Sequence, residues 1–302
     1  MIMKKKDYTG KLIIELFIGA ILIYTFACCS RNTDIPDITQ NNSYSFFVAG
    51  HTYGKPGVDN AGLHPPFKKR FDLIKSDTLI KFGILTGDIV LNSTAKNWDE
   101  VDKDIEELGV PVYFAAGNHD MSARELFESR YGKTYYSYVY NKDLFFILDP
   151  NLDSWNISGE QLQFLTDELR EKAENAADIF IFFHQVLWWS ADNIFSNLQV
   201  NSLASRADTI NFWSEVEPLF HSLPNSVYLF AGDVGAYDNG DEFMYYHYDN
   251  ITFIASGMGG EARDNFVIVD VQPDKTVSFR LIALNGDNIN ALGRLEDYRL
   301  ER

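Results

Sequence analysis

Five short apolar runs, at residues 45–49, 82–86, 112–116, 179–183 and 227–231, each stop at a polar residue. The residue follows directly or after one glycine: Gly50-His51, Gly87-Asp88, Gly117-Asn118, His184 and Gly232-Asp233. Runs this short, bounded this way, read as strands buried on both faces rather than helices. A sixth run, 144–148, has the same character. Helical patterns lie between them at 67–75, 98–108, 123–131, 158–175 and 209–222. In the fourth, Ser158 and Gln161 read as a capping box, and Leu162, Leu165 and Leu169 form one apolar face. Further strands at 135–140, 243–248, 251–256, 266–271 and 276–282 have no helices between them and read as antiparallel pairs. An α/β first half followed by a β-rich second half predicts two packed sheets with helices outside.

The rest of the chain narrows the chemistry. Of 302 residues, 46% are hydrophobic, enough for a sizeable core. A formal charge of −17 argues against a nucleic-acid or anionic-lipid binder. It leaves room for a small phosphorylated substrate, because bound divalent cations reverse the local potential. Lys4-Lys5-Lys6 precede an apolar stretch over 12–26 that ends in Thr25-Phe26-Ala27-Cys28-Cys29-Ser30. This resembles a bacterial lipoprotein leader with Cys28, or alternatively Cys29, as the lipidated residue; the other reading is an uncleaved N-terminal anchor. The expected organisation is a lipoprotein-type signal segment at 1–28, a flexible tether at 29–43 and one domain at 44–302. That places the domain outside the cytoplasm, held to a membrane through the lipid anchor only. Both cysteines lie in the export segment, so any metal must be held by His, Asp, Asn or Tyr.

Ligands of open α/β folds bind beyond the carboxyl ends of strands. Asp, Asn and His collected there suit a divalent metal ion such as Mn, Fe or Zn better than a nucleophilic triad. Gly87-Asp88, Gly117-Asn118-His119-Asp120 and His184, in this order and spacing, resemble the calcineurin-like metallophosphoesterases. The resemblance runs over roughly residues 44 to 284 and includes Tyr135-Tyr136-Ser137, the helix at 161–169 and Ser256-Gly257-Met258-Gly259-Gly260. It implies a four-layer α/β/β/α sandwich of two packed mixed sheets with flanking helices. It also implies two metal ions bridged by one Asp, with a metal-bound hydroxide as nucleophile attacking a phosphate mono- or diester. Position by position, Asp88 matches the bridging carboxylate, and Asn118 and His184 match ligands of the second metal. His119 matches the catalytic imidazole, and Asp120 would orient it.

The first and last segments depart from the family pattern. His51 and Tyr53 stand where Asp and His are expected, and Asp233 and Gly235 replace the two closing histidines. Asp88, Asn118, His184 and Asp233 form one complete ligand set. The other position keeps Asp88 and His51, with Tyr53 as a candidate metal or substrate contact. The alternative to an envelope hydrolase is therefore a catalytically reduced domain that binds a ligand without turning it over. His64, His221 and His247 lack partner spacing and read as structural. Trp188-Trp189 either wall a substrate pocket or pack into the core.

Overall fold

The computed structural model of the chain describes residues 42–237 and 243–299. The leader expected at 1–28, with Cys28, and nearly all of the tether lie outside the described residues.

Two mixed sheets form the centre. The first has the order β11-β10-β1-β2-β3, built from β1 (Tyr44–Ala49), β2 (Ile80–Thr86), β3 (Val112–Ala115), β10 (Asn265–Val271) and β11 (Val277–Ala283). The second has the order β4-β5-β6-β7-β9-β8. Its strands are β4 (Tyr136–Tyr140), β5 (Asp143–Ile147), β6 (Asp178–Phe183), β7 (Ser226–Ala231), β8 (Met244–Tyr248) and β9 (Ile251–Ala255). β1, β2 and β3 run parallel, as do β5, β6, β7 and β9.

Period-two alternation divides each strand between two apolar layers. In β1, Phe47 and Ala49 face outward with Phe67, Phe71, Ile74 and Trp98. These come from α1 (Pro65–Lys68), α2 (Phe71–Ser76) and α3 (Ala95–Leu108), and α4 (Arg124–Tyr131) adds Phe127 to the same layer. In β6, Ile179, Ile181 and Phe183 face outward, packed with Leu165 and Leu169 of α5 (Gly159–Lys172). The inward residues are aromatic. The Phe46 ring meets Phe180 edge-on at 5.2 Å, and Phe82 meets Phe145 at 5.4 Å. Phe145, Phe180 and Tyr228 stack along the second sheet at 5.0 Å spacings. Each such pair contributes about 0.5–1.5 kcal/mol beyond its buried area. The result is the four-layer α/β/β/α sandwich.

Several local readings change. The 67–75 helix is two pieces, α1 and α2, broken at Arg70, whose guanidinium bonds the carbonyls of Ala283, at the end of β11, and Leu284. The 209–222 helix is a π-helical turn, Phe212–Val216, running into α6 (Glu217–His221). Pro218 lacks the N–H that would continue the regular α ladder through this point. Ser158 does not cap α5 with its side chain. Its hydroxyl donates to Asp153, and the Gln161 amide is drawn inward to bond the N–H and C=O of Asp149. The antiparallel pairs β8–β9 and β10–β11 form as expected, but β9 also lies parallel to β7, and β10 crosses to the first sheet beside β1.

Candidate metal centre

The carboxyl ends of strands from both sheets meet so closely that the residues before the polar groups must be small. Gly87 adopts φ +82°, and a Cβ there would sit 2.5 Å from Cγ of His184. At Gly117 a Cβ would overlap the backbone nitrogen of Asp88. His51 and Asp88 hold left-handed φ values of 54° and 49°, a strain of about 1 kcal/mol each that the surrounding bonds sustain.

Asp88, His184 and Asp233 bring one ligand atom each to within 4.8 Å of one another, all buried. His184 Nε2 lies 3.3 Å from Asp88 Oδ1 and 3.6 Å from Asp233 Oδ1. His184 Nε2 and both Asp233 carboxylate oxygens are buried with no hydrogen-bond partner. Buried groups of this polarity are costly without a counter-charge. Carboxylate oxygens and an imidazole nitrogen at this spacing fit a divalent cation. Asn118 sits half-buried on the adjacent loop, next to His119, whose backbone N–H donates to Asp88 Oδ1 at 3.0 Å.

Three imidazoles are fixed by backbone carbonyls through Nδ1. His184 pairs with Thr86 O at 2.9 Å, His51 with Met258 O at 2.9 Å and His119 with Leu91 O at 2.7 Å. A neutral ring donating from Nδ1 presents the Nε2 lone pair, the orientation of a metal-binding histidine. Asp88 divides its oxygens between them: Oδ1 faces His184, while Oδ2 lies 3.8 Å from His51 Nε2 and 4.0 Å from His119 Nε2. Burial works against the Asp88 charge, but His184, His51 and His119 hold its carboxyl below the usual range. Burial also opposes charge on His184, yet Asp88 and Asp233 outweigh it and push the ring up to about 10. Burial raises Asp233 to about 7 and lowers His51 to about 4.

The remaining expected residues sort differently. Asp120 does not touch the His119 ring. Its Oδ1 accepts from the N–H groups of Ile89 and Val90, and its Oδ2 from Gly117 N–H at 2.8 Å, so it ties together the two loops that carry Asp88 and Asn118. Tyr53 is buried, its ring 4.2 Å from that of His51 and 5.0 Å from that of His119. Burial, then the Asp88 charge, raises the Tyr53 phenol well above its ordinary value. At Gly235, φ is +80° and a Cβ would lie 2.7 Å from the carbonyl carbon of Gly257. Trp188 is fully buried in the core beside Phe183, not in a pocket wall.

One contributor carried no motif in the sequence. Asp264 accepts from Gly259 N–H at 2.7 Å and Glu261 N–H at 3.0 Å, and its other oxygen meets His64 Nε2 at 3.2 Å. It thereby holds the glycine loop that supplies Met258 O to His51. The glycines at 257, 259 and 260 marked the loop, but nothing local marked its clamp.

The family model described as calcineurin-like phosphoesterase matches residues 33–257. Among solved structures, a purple acid phosphatase from seeds of yellow lupin (Lupinus luteus) is similar at a TM-score of 0.58 and 15% identity, covering 83% of this chain and 53% of that one. This chain thus spans about half the length of the lupin protein. The phosphopantetheinyl hydrolase of Mycobacterium tuberculosis is similar at a TM-score of 0.38 and 10% identity, covering 73% of this chain and 91% of that one. No curated protein matches the sequence. The lupin structure shares the fold, and the family match spans the strand ends that build the cluster of Asp88, His184 and Asp233. The chain belongs to the calcineurin-like phosphoesterase family.

Proposed function

We propose that the chain hydrolyses phosphate mono- or diesters in the cell envelope, using at least one divalent ion held by Asp88, His184 and Asp233, with Asn118 beside them. The observation that carries this reading is the buried, unpartnered set of His184 Nε2 and the two Asp233 oxygens facing Asp88. When bound, such an ion supplies Lewis-acid polarisation and lowers the pKa of water towards ~7. The chain's own groups supply the rest. Thr86 O and Met258 O hold the His184 and His51 rings with Nε2 turned inward. His119 is about one-third exposed in its side chain, fixed by Leu91 O, with Nε2 directed to the Asp88 side of the site. It is placed to hold or pass a proton at the leaving oxygen. The leader ending at Cys28 supports the envelope location and a lipid anchor. Among the described residues no helix is long and apolar enough to cross a membrane.

The test is elemental analysis of the purified protein together with hydrolysis of nitrophenyl phosphate and its diester, with Asp88→Ala as the control. Metal bound in the wild type, and activity lost with it in the variant, is the expected result. A metal-free, inactive wild type overturns the reading. Labelled-palmitate incorporation abolished by Cys28→Ala checks the anchor. One observation favours a binding-only role: Asp88 Oδ2 faces His51 and His119, and Gly235 has no side chain to offer a second ion. Retained metal without turnover of either ester would establish that role instead.

A further inference from the structure

A second concave site lies away from the metal centre. Its volume is about 810 Å³, within the range of small-molecule pockets. It opens on the outer face of the second sheet at its edge strand, β8. In the sheet order β8 stands three strands from β6, which carries His184, or about 14 Å at the usual strand spacing.

Its walls are aromatic. Phe195 and Trp213 lie nearly parallel, centroids 6.1 Å apart. Tyr246 stands at 88° to Phe195 with centroids 5.2 Å apart, and Tyr248 continues the wall 6.0 Å beyond Tyr246. Phe195 and Tyr246 are buried and back the wall, while Trp213 and Tyr248 keep surface open to the cavity. Trp213 is 40% exposed, although its indole N–H is already bonded to Trp188 O at 3.2 Å. What it offers a ligand is therefore its π face rather than a donor.

The charge around these rings is negative. Asp192 and Glu217 line the cavity, and among the described residues no lysine or arginine does. His221 also lines it and pairs with Glu217 at 3.2 Å on one side and with Asp249 at 3.1 Å on the other, and the Tyr248 hydroxyl donates to Glu217. That leaves carboxylate charge in excess over any charge on the imidazole. An exposed indole face with surplus carboxylate beside it is complementary to an organic cation. Together they are unfavourable for the phosphorylated anion expected at the metal centre.

We propose that this cavity binds an alkylammonium group, held over the exposed Trp213 face beside Tyr248 and balanced by Asp192 and Glu217. The site is independent of the hydrolytic reading. Isothermal titration of the full-length protein with choline chloride tests it, beside the uncharged carbon isostere dimethylbutanol. Saturable binding of choline is expected, with the isostere about tenfold weaker. Trp213→Ala, at an exposed position, should weaken choline about tenfold, while Trp213→Phe keeps most of the affinity and Asp192→Asn lowers it about threefold. Metal content and ester hydrolysis should be unchanged in all three variants. The proposal fails if choline does not bind saturably, if the isostere binds as tightly, or if Trp213→Ala binds choline like wild type.

Discussion

His184 Nε2 and Asp88 Oδ1 stand 3.3 Å apart, each fully buried, with Asp233 Oδ1 3.6 Å from the same nitrogen. Neither contact is a good hydrogen bond, and the Asp233 oxygens have no other partner. If a divalent ion completes the group, Asp233→Ala removes a direct ligand. Its metal affinity should fall by about 100-fold or more, measured by chelator competition. A variant that keeps wild-type affinity would show that Asp233 is a buried acid held by protonation alone.

What could be read from the chain ahead of its structure follows a physical division. Asp88, His184 and Asp233 were legible because a buried strand must stop somewhere and its first polar residue is conspicuous. The groups that aim them were not. Thr86 O, Leu91 O and Met258 O are backbone atoms, and every residue has one. The inner aromatic layer of Phe46, Phe145 and Phe180 was hidden for a related reason: strands buried on both faces carry apolar residues throughout, so alternation leaves no trace. Ser158 and Gln161 met the capping pattern, but Gln161 found both a donor and an acceptor in Asp149. The pairing of β9 with β7, like the link from Asp120 to the loop after β2, is long-range and depends on how the sheets close.

Asp120 acts on the backbone, so its loss should be felt as instability. Asp120→Ala strands the N–H groups of Ile89, Val90 and Gly117, each worth about 1–3 kcal/mol when buried and unpaired. Chemical denaturation should show a loss of about 3 kcal/mol or more, whereas His119→Ala, at a partly exposed ring, should cost less than about 1 kcal/mol. Equal losses in the two variants would revive a joint role for the pair.

Gly235 stands where the family places a histidine, yet restoring that residue should not rebuild a metal position. The backbone there is left-handed at +80°, and a Cβ would press on the carbonyl of Gly257 at 2.7–2.8 Å. Left-handed strain of about 1 kcal/mol adds to the steric cost of displacing a backbone that also carries Met258 O to His51. Gly235→His should lower the thermal midpoint without raising the metal-to-protein ratio. A ratio increased by one ion would mean that the 257–260 loop yields freely.

At the opposite pole Asp178 opens β6 with Oδ2 buried and unpartnered. Its neighbour Asp143 takes the Tyr44 hydroxyl at 2.7 Å and Lys275 Nζ at 2.9 Å. Burial, and then the charge of Asp143, push Asp178 up to about 7. An unfolded chain releases this proton near pH ~3.9, so between there and pH 7 the folded state holds a proton that the unfolded state has lost. Stability from this group is therefore greatest below the lower value and falls as the pH rises through the window. Asp178→Asn mimics the protonated side chain. It should stabilise the protein by about 1–2 kcal/mol at pH 8 and by almost nothing near pH 4. Denaturation midpoints of both proteins at the two pH values measure the difference. An equal gain at both would assign the effect to packing rather than to the buried charge.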